Sequence, residues 1–300
     1  MDKVSFIIPA RGESLLNVKR TVDSIYSSAK GEFEVIIGYD GTPNLGIAGC
    51  ENLKIVQFPE VVGIKTNINT LAATATGKYL FKSDAHCRFG EGIDEILKAN
   101  MEEDWVVMPR FKIIRPDWSI QIRDGKEEIY DYFYLCSPFT DRRGFRFKAG
   151  GHWRERTDER EVDFHYDSEG NPKTYDIDET PQIHGSGWFM TKDRFFELGG
   201  FPLQDPMGHA QEPLWMGLRN WFMGGKVMVN KNTWYAHLHQ ETRDKGFALG
   251  HSNEERTYNL VASHFMNHPK MEWFLDKFMP MPTWPENWRE LLHKYQEEHK

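Results

Sequence analysis

Apolar strand patterns that alternate with amphipathic helical patterns constrain the fold of this chain more than any other feature. The first apolar run is Val4-Ser5-Phe6-Ile7-Ile8, and further strand patterns cover residues 33–38, 52–58, 78–82 and 105–109. Helical patterns lie between them, at residues 15–25, 66–76 and 93–101. This alternation predicts an α/β protein with a doubly wound, mostly parallel sheet. Ligands of such sheets bind beyond the carboxyl ends of the strands, where Asp40 and Asp84 stand.

Composition narrows the class of protein. The chain has 300 residues, of which 37 are basic and 45 acidic, and its net charge of −8 argues against a general nucleic-acid coat but allows a local basic patch. Three widely spaced cysteines (Cys50, Cys87 and Cys136) predict reduced thiols in an intracellular protein. The N-terminus lacks a signal-peptide pattern, and no apolar run approaches the roughly 20 residues of a membrane span. We therefore expect a soluble, cytoplasmic protein.

The pattern predicts one α/β domain over residues 1–240 and an extension over residues 241–300. Residues 115–182 lose the strand–helix alternation and are charged and aromatic, so they form either a functional segment or a solvated insertion. A basic cluster lies within it, at Arg142, Arg143, Arg146 and Lys148. Residues 271–292 gather aromatic side chains around prolines and predict an aromatic clasp over the sheet.

Asp84 and His86 follow the fourth predicted strand directly. If the strand continues through them, both side chains project from one face, because residues two apart in a strand point the same way. A carboxylate beside an imidazole suits Mn²⁺ or another first-row divalent ion. The alternative is an aspartate that caps the next turn and a histidine that packs under a loop.

Several motifs accompany this strand end in a fixed order. They are Ser83-Asp84-Ala85-His86-Cys87, Gly185-Ser186-Gly187-Trp188-Phe189, Leu198-Gly199-Gly200-Phe201, Glu212 with the later Arg219-x-Trp221-x-x-Gly224-Gly225, and His237. Together they resemble the catalytic domain of polypeptide N-acetylgalactosaminyltransferases and related family 2-like enzymes of the GT-A fold. The resemblance extends over residues 3–247, apart from the middle segment. It implies a GT-A catalytic domain that uses a UDP-sugar and Mn²⁺ or another divalent cation.

The resemblance also implies roles for individual residues. Asp84, His86 and His237 would hold the metal that bridges the diphosphate, with His239 as the alternative third ligand. The residues implied at the nucleotide are Pro9, Ala10, Arg11, Asp40, Lys65, Asn69, Ser83 and, in a closing loop with Arg243, Lys245. Glu212 would contact the donor sugar or only begin a helix, and Trp188 would be either a sugar platform or core. For His184, His209, His251 and His264 we expect surface or packing roles.

Residues near these motifs predict the stereochemistry of the reaction and the kind of acceptor. Inverting relatives place an aspartate base directly after the glutamate, whereas this chain has Pro213, so we expect retention unless another carboxylate such as Asp205 substitutes. Arginines beside aromatic residues over residues 132–160 suit an acceptor such as the hydroxymethylated bases of phage DNA. A protein, glycan or lipid-linked hydroxyl is the alternative acceptor. A non-catalytic protein that binds a sugar nucleotide is the rival hypothesis.

Overall fold

The computed structural model describes residues 2–44, 46–47, 51–161, 165–166, 169–170, 172–203, 211–239 and 251–299. Its strands are β1 (Val4–Ala10), β2 (Phe33–Asp40), β3 (Leu53–Phe58), β4 (Tyr79–Ser83), β5 (Cys87–Phe89), β6 (Trp105–Ile114), β7 (Ile122–Arg123), β8 (Lys126–Glu127), β9 (Ile129–Tyr130), β10 (Phe133–Cys136), β11 (Lys148–His152), β12 (His165–Tyr166), β13 (Pro172–Lys173), β14 (Ile177–Glu179), β15 (Gly187–Thr191) and β16 (Lys226–Leu238). Its helices are α1 (Leu15–Ser28), α2 (Ile64–Thr74), α3 (Ile93–Ala99), α4 (Arg154–Arg160), α5 (Lys192–Glu197), α6 (Glu212–Phe222), α7 (His251–Phe265), α8 (Met271–Phe278) and α9 (Trp288–Glu298).

Ten of these strands form one mixed sheet in the order β14-β16-β6-β15-β4-β1-β2-β3, with β5 beside β16 and β9 beside β6. β1 runs parallel to both of its neighbours, β2 and β4. β15 runs antiparallel between β4 and β6, and β14, β5 and β9 are also antiparallel to their neighbours, so six of the ten strands point the same way. The α/β fold predicted from the alternating pattern is confirmed.

The helices form where local sequence supports them. α1 follows Ser14, whose hydroxyl accepts from the N–H of Asn17 at 3.2 Å, and it buries Val18, Val22 and Ile25 against the sheet. α2 follows Gly63, where φ is +87°, a conformation that favours glycine. It ends at Thr74 with Ala75 as its C-cap.

The middle segment folds into small pieces. β10 pairs with β11, β7 pairs with β8, and β12 pairs with β13. At the C-terminal end, the ring of Phe278 in α8 lies 5.4 Å from that of Trp221 in α6, and Lys277 pairs with Glu179 of β14 at 2.6 Å. The aromatic clasp therefore contacts α6 and the edge of the sheet. No helix in the described ranges is long and apolar enough to cross a membrane.

Candidate metal centre and donor site

The end of β4 and the end of β16 bring three potential metal ligands together. β4 ends at Ser83, and a turn at residues 85–86 separates it from β5, so the strand does not continue through Asp84 and His86 as the sequence pattern allowed. β16 pairs with β5 so that His237 stands opposite Cys87. This register places the His237 imidazole beside the turn that carries His86.

The donor atoms of these three side chains fit one divalent cation. Nε2 of His86 lies 2.9 Å from Nε2 of His237, and Oδ2 of Asp84 lies 3.2 Å and 3.8 Å from the Nε2 atoms of His237 and His86. Two ligands that each bind one ion at about 2.1 Å can be no more than about 4.2 Å apart, and all three separations meet this limit. Imidazole and carboxylate donors suit Mn²⁺ and other first-row divalent ions. Among the residues that the structure describes, these three form the cluster of possible ligands.

Two further side chains hold the ligands in place. Oε2 of Glu13 lies 3.2 Å from Nδ1 of His86, on the side of the ring that faces away from the other donors. The Lys82 ammonium, which is buried, donates to Oδ1 of Asp84 at 2.5 Å and to the Gly185 carbonyl at 2.6 Å. Such outer contacts orient metal ligands and fix the tautomer of a histidine.

Because Lys82 binds Oδ1 of Asp84, the other oxygen, Oδ2, faces the imidazoles of His86 and His237. Burial acts to raise the pKa of the Asp84 carboxyl, but the Lys82 charge and the His237 hydrogen bond outweigh it, so the pKa lies well below its usual range. Sequence reasoning missed Glu13 and Lys82. The available signal for the lysine was its place in a buried strand, two residues before Asp84.

A cavity of about 360 Å³ opens beside the metal ligands. The residues that line it include Asp84, His237, Lys82, Glu212, Pro213, His184 and His239. Glu212 is 6% exposed, and its Oε1 has no hydrogen-bond partner among the described residues. A buried carboxylate oxygen of this kind is satisfied when a ligand donates to it.

His184 lies in this cavity, which sequence reasoning did not expect. Its ring stacks on Phe111 with the centroids 4.6 Å apart, and its Nδ1 lies 2.6 Å from the hydroxyl of Ser186. Burial, together with the charge of nearby His237, lowers the pKa of His184 to about 3, so the imidazole is neutral near pH 7. His184 therefore packs on aromatic side chains, as one of the two expected roles allows, and it does so at the wall of the cavity.

Several predicted site residues lie in the protein interior. Trp188 is fully buried and stacks on Phe195, so the structure brings it to the core and not to the cavity. Asn69 donates to the carbonyl of Phe201 and accepts from its N–H, which ties α2 to the turn after α5. Ser83 is buried next to Asp84, with its hydroxyl 3.0 Å from the Asp84 carbonyl.

Other predicted nucleotide residues cluster at the carboxyl ends of β1 and β2. Pro9 and Ala10 end β1, and Arg11 follows directly. The Asp40 carboxylate accepts from the N–H groups of Val62 and Gly63 at 2.6 Å and 3.2 Å, just before α2. Lys65 lies in the first turn of that helix and is 2% exposed. The predictions for Arg243, Lys245, Asp205, His209 and Cys50 lie outside the described residues.

The basic cluster of residues 142–148 is partly neutralised. Lys148 and Arg143 both approach the Asp141 carboxylate, at 2.6 Å and 3.5 Å. The guanidinium of Arg146 lies over the ring of Tyr258 at 5.7 Å. Arg142 is exposed at the surface, with no such carboxylate contact among the described residues. The cluster is therefore less positive than its sequence implies.

The mostly parallel sheet, with an Asp-x-His turn and a third histidine at its carboxyl edge, has the architecture of GT-A glycosyltransferases. The chain belongs to glycosyl transferase family 2, whose pattern its residues 5–154, half of the chain, match. It is 22% identical over 302 residues to the putative polypeptide N-acetylgalactosaminyltransferase 13 of Drosophila melanogaster, a match that covers 93% of this chain and 49% of that protein.

Solved structures show the same fold. The structure of GalNAc-T7 with UDP, GalNAc and Mn²⁺ matches with a TM-score of 0.63 and 16% identity, over 99% of this chain and 54% of that one. The structure of S. aureus TarS residues 1–349 in complex with UDP-GlcNAc matches with a TM-score of 0.54 and 11% identity, over 88% and 65%. The chain thus spans about half the length of the N-acetylgalactosaminyltransferase relatives.

Proposed function

We propose that this protein transfers a sugar from a UDP-sugar to an acceptor hydroxyl with the help of a divalent cation. The observation that carries this proposal is the convergence of Asp84, His86 and His237 at the mouth of a cavity that also contains Glu212. The structures of GalNAc-T7 with UDP and of TarS with UDP-GlcNAc support a uridine nucleotide as the donor. Convergence of the three ligands also argues against a non-catalytic binding protein.

A cation held by these three side chains would neutralise the diphosphate that leaves when the glycosidic bond breaks. Lys82 and Glu13 keep the ligands oriented before the donor arrives. Glu212 offers its unpartnered oxygen to a hydroxyl of the donor sugar. The carboxyl ends of β1 and β2, with Pro9 and Asp40, would bind the uridine, as the family resemblance implies.

We propose that the reaction retains the configuration of the sugar. Pro213 lines the cavity where inverting relatives have a base, and Asp84 and Glu212 are the carboxylates among its described lining residues. Asp84 faces the cation site, and Glu212 is assigned to the donor sugar, so neither is free to remove the proton of the acceptor. In the retaining step the acceptor oxygen bonds to the anomeric carbon as the bond from that carbon to the phosphate oxygen breaks. The hydroxyl proton passes to the leaving phosphate.

The acceptor we propose is a hydroxyl presented across the segment of residues 132–160. Ala149 and Gly150 of β11 line the cavity, so this segment borders the donor site. DNA with hydroxymethylated bases is the specific form of the hypothesis, and exposed Arg142 supports it. The ion pairs of Lys148 and Arg143 with Asp141 favour a less highly charged acceptor, such as a protein or glycan hydroxyl.

A direct experiment tests the core of this proposal. UDP release from UDP-GalNAc, UDP-GlcNAc and UDP-glucose is measured with Mn²⁺, with EDTA and with EDTA followed by excess Mn²⁺. Release that requires Mn²⁺ and returns on its addition supports the proposal. Undiminished release in EDTA, or no binding of any uridine nucleotide, contradicts it. A parallel acceptor screen by mass spectrometry compares serine and threonine peptides, glycans and hydroxymethylated DNA.

A further inference from the structure

The hydrogen bonds around His184 determine the tautomer of its imidazole, that is, which ring nitrogen carries the proton. The backbone N–H of Ser186 donates to Nδ1 at 3.3 Å, and the hydroxyls of Ser186 and Tyr235 lie 2.6 Å and 3.4 Å from the same nitrogen. A backbone N–H can only donate, so Nδ1 is an acceptor, and the neutral ring carries its proton on Nε2. His184 therefore presents a hydrogen-bond donor at Nε2.

The loop that carries His184 is fixed at both sides. The Asp84 N–H donates to the Ser186 carbonyl at 3.0 Å, and Lys82 donates to the Gly185 carbonyl at 2.6 Å. Phe111 and Phe133 confine the ring, with centroids 4.6 Å and 5.1 Å from it. A donor held in this way needs little reorganisation when a ligand arrives.

Glycine at position 187 makes the hydrogen-bond network possible. A Cβ built on Gly187 would lie 2.6 Å from the ring of Tyr235, so a larger residue would displace the phenol. Without a side chain there, the Tyr235 hydroxyl reaches the Ser186 hydroxyl at 3.1 Å. Gly187 thus contributes to the orientation of His184.

No residue in the described part of the chain is hydrogen-bonded to Nε2 of His184, which lies in the same cavity as Glu212. The His184 ring centroid is 5.9 Å from that of His237, next to the proposed diphosphate position. Building on the proposed function, we propose that His184 is a specificity-determining residue whose Nε2–H donates a hydrogen bond to an oxygen of the transferred sugar. It would recognise sugars with a hydroxyl or N-acetyl oxygen at that position.

Isothermal titration of UDP and of UDP-GlcNAc or UDP-GalNAc, all with Mn²⁺, separates sugar recognition from nucleotide recognition. His184→Phe keeps the ring shape but removes the donor, and it should weaken UDP-sugar binding about tenfold while UDP binding stays within about twofold. His184→Gln, whose amide N–H can replace Nε2–H, should recover most of the affinity. Tyr235→Phe, which removes one donor to Nδ1, should weaken UDP-sugar binding to an intermediate extent.

His268→Phe is the matched control, because His268 is a partly buried histidine whose Nδ1 accepts a backbone N–H and whose ring stacks on Phe222, outside the cavity lining. Thermal unfolding of every variant checks the fold. An unchanged ratio of UDP-sugar to UDP affinity in His184→Phe overturns this inference alone. A change confined to the acceptor KM also overturns it, since His184 would then face the acceptor. Failure of the unmodified protein to bind UDP overturns the proposed function, and the inference with it.

Discussion

The Nε2 atoms of His86 and His237 lie 2.9 Å apart, although 151 positions separate the two residues in the chain. Antiparallel pairing of β5 with β16 produces this proximity, because it sets His237 opposite Cys87, the neighbour of His86. Oδ2 of Asp84 completes the cluster from the end of β4. The cation site therefore depends on the sheet and not on a single local motif.

Replacement of one metal-ligand side chain should weaken cation binding without unfolding the protein. Asp84→Asn and His237→Ala should each weaken Mn²⁺ binding by more than the roughly 10–100-fold typical of replacing a residue that only orients a ligand. Titration followed by electron paramagnetic resonance of free Mn²⁺ measures this directly, in the presence of UDP. Asp23→Asn, an exposed aspartate paired with Lys19, is the control and should bind Mn²⁺ normally. Equal affinity in all three variants would refute the assignment.

Glu34 should make stability depend on pH in the acid range. Burial acts to raise the pKa of its carboxyl, but hydrogen bonds from Lys54, Ser5 and Thr76 outweigh burial and lower the pKa from 4.5 to about 2. A carboxyl whose pKa falls on folding stabilises the protein fully above its unfolded pKa. That contribution disappears as the pH falls from 4.5 towards 2.

Glu34→Gln should therefore lower the free energy of unfolding at pH 7 by an amount on the order of 2–3 kcal/mol, and by progressively less below pH 4.5. Urea unfolding followed by circular dichroism across this pH range measures the difference. Glu32→Gln is the matched control, since Glu32 precedes the same strand but is exposed. A destabilisation of Glu34→Gln that does not change with pH would show that the carboxylate charge is not its cause.

Product stereochemistry tests the role assigned to Pro213. Because that position has no proton-accepting side chain, an α-linked UDP-sugar should give an α-linked product. The coupling constant of the anomeric proton in the NMR spectrum of the purified product distinguishes the two outcomes. A β-linked product would mean that another carboxylate acts as the base, and Asp205 would be the first to replace with Asn.

Replacement of Arg142, Arg143 and Arg146 by Ala tests the nucleic-acid hypothesis. If these side chains bind phosphates, the affinity for hydroxymethylated DNA should fall, and the slope of log affinity against log salt should decrease by about one for each arginine that binds a phosphate. Hydrolysis of the donor should be unaffected, since the cluster lies outside the cavity lining. Replacement of Arg115, Arg123 and Arg289 by Ala is the control, because it removes the same number of positive charges from other parts of the surface. Equal weakening in both triple variants would indicate a general charge effect.

Features encoded locally could be predicted from the sequence. The strand patterns and the start of α6 at Glu212 follow from periodicity and spacing, whereas His237 was added to Asp84 and His86 only by the order of the family motifs. Contacts between distant segments could not be predicted, and Glu13 beside His86 is an example. The interpretation of Trp188 depended on which face of β15 it occupies. Gly187 faces Tyr235, so the next side chain points to the opposite face and packs on Phe195.

β16 pairs with β6 along its whole length, but its register shifts between Asn230 and Trp234. Asn230 stands opposite Pro109 and Trp234 opposite Arg110, so three additional residues, 231–233, interrupt the ladder. Side chains alternate between faces beyond that interruption, and its length therefore decides which of them point at the cation site. If the interruption keeps its length, deletion of one residue there would bring Leu238 to the position of His237, and insertion of one residue would bring Ala236 there. The three extra residues therefore set both the direction and the reach of the imidazole: a net change of one residue turns it to the other face of the sheet, and a net change of two moves it about 6.6 Å along the strand.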